Sequence, residues 1–299
     1  MASRYWVGNG GDWTDTAHWS DTSGGAGGYP KPTQDDDVYF DSNSITTTGQ
    51  TVDVKRYPVC KTLDCSGLVY VTNFYNYYSS EQFSVYGDLM LSSNVNFLGL
   101  QLFILRGNNK LISGVNSSYT RLRIYDGTYG LGSDIKTGDI QIEKTFNTNN
   151  YNIESDTLEL YDGGTFNMGS SIVSWHNTIQ ISGTTPVINA GTSLLKKLAV
   201  IPGNYSQLYS NIDLEFYDIE FVAGGELLGN FEFRNMTLNP GCSISGGTGK
   251  TITVNGEFNA QGISGSPIYI GRVQYGNVWN LVKTSPGVVE VDYCYISYS

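Results

Sequence analysis

The sequence predicts an all-β protein, a right-handed parallel β-helix (β-solenoid) with an aromatic N-terminal cap. Three observations carry this expectation. Short segments with period-two alternation recur along the chain. Polar clusters rich in Gly, Asn, Asp and Ser separate them. Runs with apolar residues at helical spacing are almost absent, and the best of them, residues 193–200 before Pro202 and Gly203, is expected as one short helix.

The expected strands include Asp37-Val38-Tyr39-Phe40, Thr51-Val52-Asp53-Val54, Gln82-Phe83-Ser84-Val85-Tyr86, Arg121-Leu122-Arg123-Ile124-Tyr125, Thr157-Leu158-Glu159-Leu160-Tyr161 and Lys250-Thr251-Ile252-Thr253-Val254. Their β-branched and aromatic side chains suit a pleated surface. Turns fall at Tyr86-Gly87-Asp88, Gly107-Asn108-Asn109, Asp126-Gly127, Asp162-Gly163-Gly164 and Ser245-Gly246-Gly247. Two-residue Asn-Gly hairpin loops, which an antiparallel sandwich favours, are few. Strand–turn–strand units recur irregularly instead, as the coils of a solenoid do. At about 20–25 residues per coil, residues 50–299 give about ten to twelve coils.

Residues 1–48 differ from residues 49–299 and are expected to cap the first coil, whose open edge invites aggregation. They carry Trp6, Trp13 and Trp19, three of the five tryptophans, then the stretch Ser23-Gly24-Gly25-Ala26-Gly27-Gly28, Pro30, Pro32 and a strand ending in Phe40. Trp6, Trp13, Trp19 and Phe40 are the expected cap residues, large rings covering a coil end.

Composition narrows the function. Lys and Arg number 17 against 28 Asp and Glu, for a net charge of −11. Nucleic-acid binding needs phosphates neutralised by cations, so no nucleic-acid partner is expected. No apolar run is long enough to span a bilayer, so no membrane insertion is expected. The first residues contain no apolar signal region. Cys60, Cys65, Cys242 and Cys294 form no Cys-x-x-Cys and have two histidines in the whole chain to help them, so buried free thiols are expected rather than zinc, with disulfides left open.

The N-terminal residues are distinctive. Arg4-Tyr5-Trp6-Val7-Gly8-Asn9-Gly10-Gly11-Asp12-Trp13-Thr14-Asp15-Thr16-Ala17-His18-Trp19, a Gly-rich loop, a proline and Asp36-Asp37-Val38-Tyr39-Phe40-Asp41 follow W-x-G-x-x-G-x-W, x-x-W, P, D-x-V-x-F. This resembles the opening of a group of right-handed β-solenoid proteins of tailed bacteriophages and bacterial surfaces. Cys60-Lys61-Thr62-Leu63-Asp64-Cys65, Thr251-Ile252-Thr253-Val254-Asn255-Gly256 and Val291-Asp292-Tyr293-Cys294-Tyr295-Ile296-Ser297 look like the same group, whose chains often continue past that last stretch. The resemblance implies a fold and no catalytic motif.

His18 lies within the cap motif and is expected to pack there, and His176 has no nucleophile motif around it. Gly246-Gly247-Thr248-Gly249-Lys250-Thr251 lacks the spacing of a phosphate loop and runs into a strand. Asp35-Asp36-Asp37 lacks calcium-loop spacing and reads as a solvated turn. Paired carboxylates on neighbouring coils could cleave glycans. The candidates are Glu143, Glu154, Glu159, Asp213, Glu215, Asp218 and Glu220, densest at Asp213–Glu220, where Tyr217-Asp218 shifts the alternation. A solvated outer face is the expected reading. Tyr75-Asn76-Tyr77-Tyr78 and Tyr269 to Tyr275 could serve as interface, core or sugar contacts.

No enzyme, catalytic residue, metal or cofactor is therefore expected. With no export signal, the resemblance implies a virion structural protein of a tailed bacteriophage, in a tail fibre, appendage or head decoration. Its expected partners are other virion proteins, copies of itself in a homotrimer, and host-surface glycan. The alternatives are a glycan-depolymerase tailspike and a bacterial surface adhesin.

Overall fold

The computed structural model describes residues 2–76, 82–99, 101–198, 206–272, 278–284 and 286–296. It is 54% strand and 1% helix, a β-solenoid of about ten turns made of stacked parallel sheets. The chain divides into two compact units, Met1–Asn147 and Thr148–Ser299.

Within the first unit the strands form three parallel stacks of unequal length. One runs through Ser3–Trp6, Asp37–Tyr39, Leu63–Asp64, Leu89–Met90, Asn108–Ser113, Thr128–Leu131 and Thr145–Asn147. The second comprises Gly11–Asp12, Gln50–Asp53, Thr72–Tyr75 and Val95–Leu98. The third comprises Val59–Cys60, Gln82–Val85, Gln101–Leu105, Asn116–Ile124 and Ile135–Ile142. Alternation turns one residue in two inward, so register builds apolar columns. Val38, Leu63, Leu89, Ile112 and Leu131 form one, and Phe83, Phe103, Leu122 and Ile140 another, all buried. A buried phenol is admitted because it is fully bonded: Tyr129 Oη accepts from Gly107 N and lies within donating distance of the Val85 and Gly87 carbonyls. Turns need left-handed backbone, as at Gly127, with φ +72°, where a Cβ would lie 2.0 Å from the Gly107 carbonyl oxygen.

The N-terminal end departs from the parallel rule. Trp19–Ser20 runs antiparallel to Ser3–Trp6. Trp6, Trp13, Trp19 and Phe40 are all buried and share edge and stacked contacts with centroids 4.7–6.4 Å apart. His18 completes the group. Its ring stacks on Trp6 at 4.7 Å, and Nδ1 lies 2.9 Å from the Val7 carbonyl, which can only accept, so Nδ1 carries the proton. Gly11 makes room for it, since a Cβ there would lie 1.9 Å from Nε2. Gly11→Ala is expected to cost about 1–3 kcal/mol by overpacking, read as a lower denaturation midpoint.

In the second unit the strands are longer and bend at corners. Leu214–Phe221 lies on Phe231–Leu238, whose first half continues onto Thr251–Val254 and whose second half continues onto Phe258–Gln261. Phe216, Phe233 and Val254 stack inward, as do Ile219, Met236 and Phe258. Coil length varies widely: 17 residues separate Asp218 from its neighbour Asn235, and 29 separate Thr251 from Asn280.

Two expectations are corrected. Residues 194–197 of the expected helix form the strand Leu194–Lys197. Leu195 and Lys197 both point inward, and the strand is held between Ile172–Ile181 and Leu214–Phe221, so tertiary pairing overrides local propensity. Ala199 and Val200 lie outside the described residues. Asp36 is no solvated side chain: it is 6% exposed and accepts from Ala2 N, Thr33 N and Thr33 Oγ1. Asp37 pairs with Lys61 at 3.2 Å.

Candidate functional site

The most chemically furnished surface lies on the second unit around Glu215. Strand alternation places Leu214 and Phe216 inward and Glu215 outward. Register then stacks Glu215 directly on Glu232, and Glu232 on Thr253. At the corner the alternation slips, so Tyr217 and Asp218 are both partly exposed, as expected from the sequence. Arg234 and Asn235 repeat that slip one coil on, which places the Arg234 guanidinium 4.5 Å from the Tyr217 ring centroid.

Two adjoining hollows share Glu215. One, of about 490 Å³, is lined among others by Asp213, Asn230, Glu232, Thr251 and Thr253. The other, of about 500 Å³, takes in Asn189, Tyr217, Arg234 and Asn255. Glu215 is exposed and has no hydrogen-bond or ion-pair partner among the described residues. Its neighbours are held by amides. Asn230 Nδ2 donates to Asp213 at 2.8 Å, Asn235 Nδ2 donates to Asp218 at 2.8 Å, and Asn255 donates to Glu232. Burial pushes the Asp218 carboxyl above its ordinary value against the pull of Asn235.

The other sequence candidates are scattered and bound elsewhere. Glu143 pairs with Arg123 at 2.6 Å, and Glu154 with His176 at 3.1 Å. Glu159 accepts from Tyr161 Oη at 2.7 Å. Glu220 lies 3.0 Å from Lys196 and accepts from Asn239; burial raises its carboxyl, but these two partners together hold it below its ordinary value. Thr251–Val254 is a strand, as expected after Gly249-Lys250. Tyr269 stacks on Tyr295 at 5.2 Å, while Tyr77, Tyr78 and Tyr275 lie outside the described residues. The cysteines are four free thiols: Cys60, Cys65 and Cys242 are buried, and Cys294 is half-buried.

Sequence reasoning missed Glu232 and Arg234. Each sits 17 residues after its partner, an interval that becomes visible only once the register is known. It also missed Lys197, which is fully buried and donates from Nζ to the carbonyls of His176, at 2.8 Å, and Leu198. Burial lowers its amine to about 8.

No family model, curated protein or solved structure matches the chain.

Proposed function

We propose that this protein is a structural component of a tailed-bacteriophage virion, in a tail fibre, appendage or head decoration, and that it works as a rigid element contacting the host surface. A β-solenoid is compatible with a structural or tailspike-like role. The observation that carries the reading is the continuous parallel ladder with a buried aromatic N-terminal group: stiff main-chain hydrogen bonding offers sides and outer faces as contact surfaces. Other virion proteins and copies of itself, side by side in a homotrimer, are the proposed partners, with a host glycan as the surface contacted. Imaging intact particles with a labelled antibody against the chain tests this. Signal at tail or head is expected, and particles without the protein would overturn it.

A glycan-cleaving tailspike is the second reading, and one observation favours it. Glu215 sits on Glu232 across neighbouring coils inside the hollowed surface, so two carboxylates share one open face, as a carboxylate-pair glycosidase would need. Incubation with host polysaccharide decides between the two. The structural reading expects no new reducing ends, with Glu215→Gln indistinguishable from the natural chain. Reducing ends that disappear in Glu215→Gln would establish the enzyme.

A further inference from the structure

The parallel ladder of the second unit is interrupted beside the hollow that holds Tyr217 and Arg234. Val187–Asn189 pairs with Thr165–Asn167 on the preceding coil and, among the described residues, with no strand on the following one. Leu214–Phe221 pairs along its length with Phe231–Leu238, but only its second half, Asp218–Phe221, pairs with a strand on the preceding coil, Leu194–Lys197. Alternate residues of a parallel strand bond to alternate sides. Val187 N donates to the Gly164 carbonyl and the Asn189 carbonyl accepts from Met168 N, both at 2.9 Å, so the N–H and carbonyl of Ile188 point toward the following coil. Leu214 N donates to the Asn230 carbonyl at 3.2 Å, so the N–H and carbonyl of Glu215 point toward the preceding coil. Neither pair of groups has a main-chain partner on that side among the described residues. Ile188 and Glu215 both line the hollow, of about 500 Å³.

We infer that this interruption binds an uncharged sugar carrying an acetamido group, an N-acetylhexosamine unit of a glycan. The inference deepens the host-glycan contact proposed above and rests on it for the source of the sugar. A secondary amide carries one N–H and one carbonyl, as a peptide unit does, so it satisfies the open groups of a strand edge. Each edge opens a single N–H and carbonyl here, which suits one amide and not the row of bonds that an added peptide strand makes. The charges in the hollow select the rest of the ligand. The side chains of Arg234 and Glu215 are exposed and have no hydrogen-bond or ion-pair partner among the described residues. The Tyr217 ring, 4.5 Å from the guanidinium, positions Arg234 while leaving its donors available. An anionic sugar would oppose Glu215 and a cationic one Arg234. Neutral ring hydroxyls satisfy both, because a hydroxyl accepts from the guanidinium and donates to the carboxylate. Half-buried Ile188 offers the acetamido methyl an apolar contact, and the volume falls in the range of small-ligand sites.

Titration of the natural chain with soluble sugars tests this without virions, so it can fail while particle imaging succeeds, and the reverse. The probes are tetra-N-acetylchitotetraose and cellotetraose, which has the same backbone with a hydroxyl in place of each acetamido group. By calorimetry the acetylated probe is expected to bind with a Kd of about 1 mM or tighter, and cellotetraose at least about tenfold more weakly. Arg234→Ala and Glu215→Gln are each expected to weaken the acetylated probe by about tenfold, with melting temperatures unchanged. In amide NMR spectra that probe is expected to shift the Ile188 and Glu215 resonances, a change that a purely structural role for these residues would not produce. Should either variant melt lower, the amide shifts of the natural chain decide. Equal affinity for the two sugars, no binding at about 10 mM, full affinity in both variants, or unmoved Ile188 and Glu215 amides would overturn the proposal. So would tighter binding of an end-blocked tetra-alanine peptide at the same amides.

Discussion

Trp13→Ala is expected to lower the stability of the chain by about 3–5 kcal/mol, the range for deleting a large buried ring. The side chain is 1% exposed. Its ring lies 4.7 Å from Trp19, 5.0 Å from Phe83 and 6.3 Å from Phe40, so it joins the N-terminal group to the column beginning at Phe83. Rigid rings on three sides cannot collapse into the space, which puts the cost toward the upper end. The backbone of Trp13 anchors the same place: its N–H donates to the Asp53 carbonyl, and its carbonyl accepts from Trp19 Nε1 at 2.8 Å. Those bonds survive the substitution, so the loss reports packing. Denaturant melts of Trp13→Ala beside Tyr57→Ala, a change at a site 62% exposed, make the comparison. Equal midpoints for the two variants would remove Trp13 from the cap.

The second large effect concerns pH. Lys197 is buried, with its folded amine at about 8 against an ordinary 10.5. Below pH 8 the amine is charged in both folded and unfolded states, and burial costs the fold in full. Between pH 8 and 10.5 the unfolded chain binds more protons, so this residue's contribution to stability rises with pH. Above 10.5 it is neutral in both states and the cost is gone. The full change is about 3 kcal/mol. Cys60, Cys65, Cys242 and Tyr129, all raised by burial, act in the opposite sense at alkaline pH, because the unfolded chain ionises first. The difference between the natural chain and Lys197→Met isolates the amine. The variant's stability relative to the natural chain is expected to fall by about that amount from pH 7.5 to 10.5. Parallel stability curves would contradict the assignment.

Much of the fold was legible because a strand's period is short and local. Thr251-Ile252-Thr253-Val254 declares itself by alternation, and the structure places Ile252 and Val254 inside. Leu194-Leu195-Lys196-Lys197 did not, because an inward lysine reads as polar and erases the alternation. The candidate site was half legible. Asp213, Glu215 and the phase slip at Tyr217-Asp218 lie in one segment. Glu232 and Arg234 join them only through register, and coils of unequal length hide register from a periodic search. The same gap made Glu143, Glu154 and Glu159 look available when Arg123, His176 and Tyr161 already engage them.

An experimental density map tests the stacked-coil account most directly. It is expected to show coils about 4.8 Å apart with parallel strands, Phe74 over Phe97 and Phe216 over Phe233. Two antiparallel sheets packed face to face about 10 Å apart would contradict it.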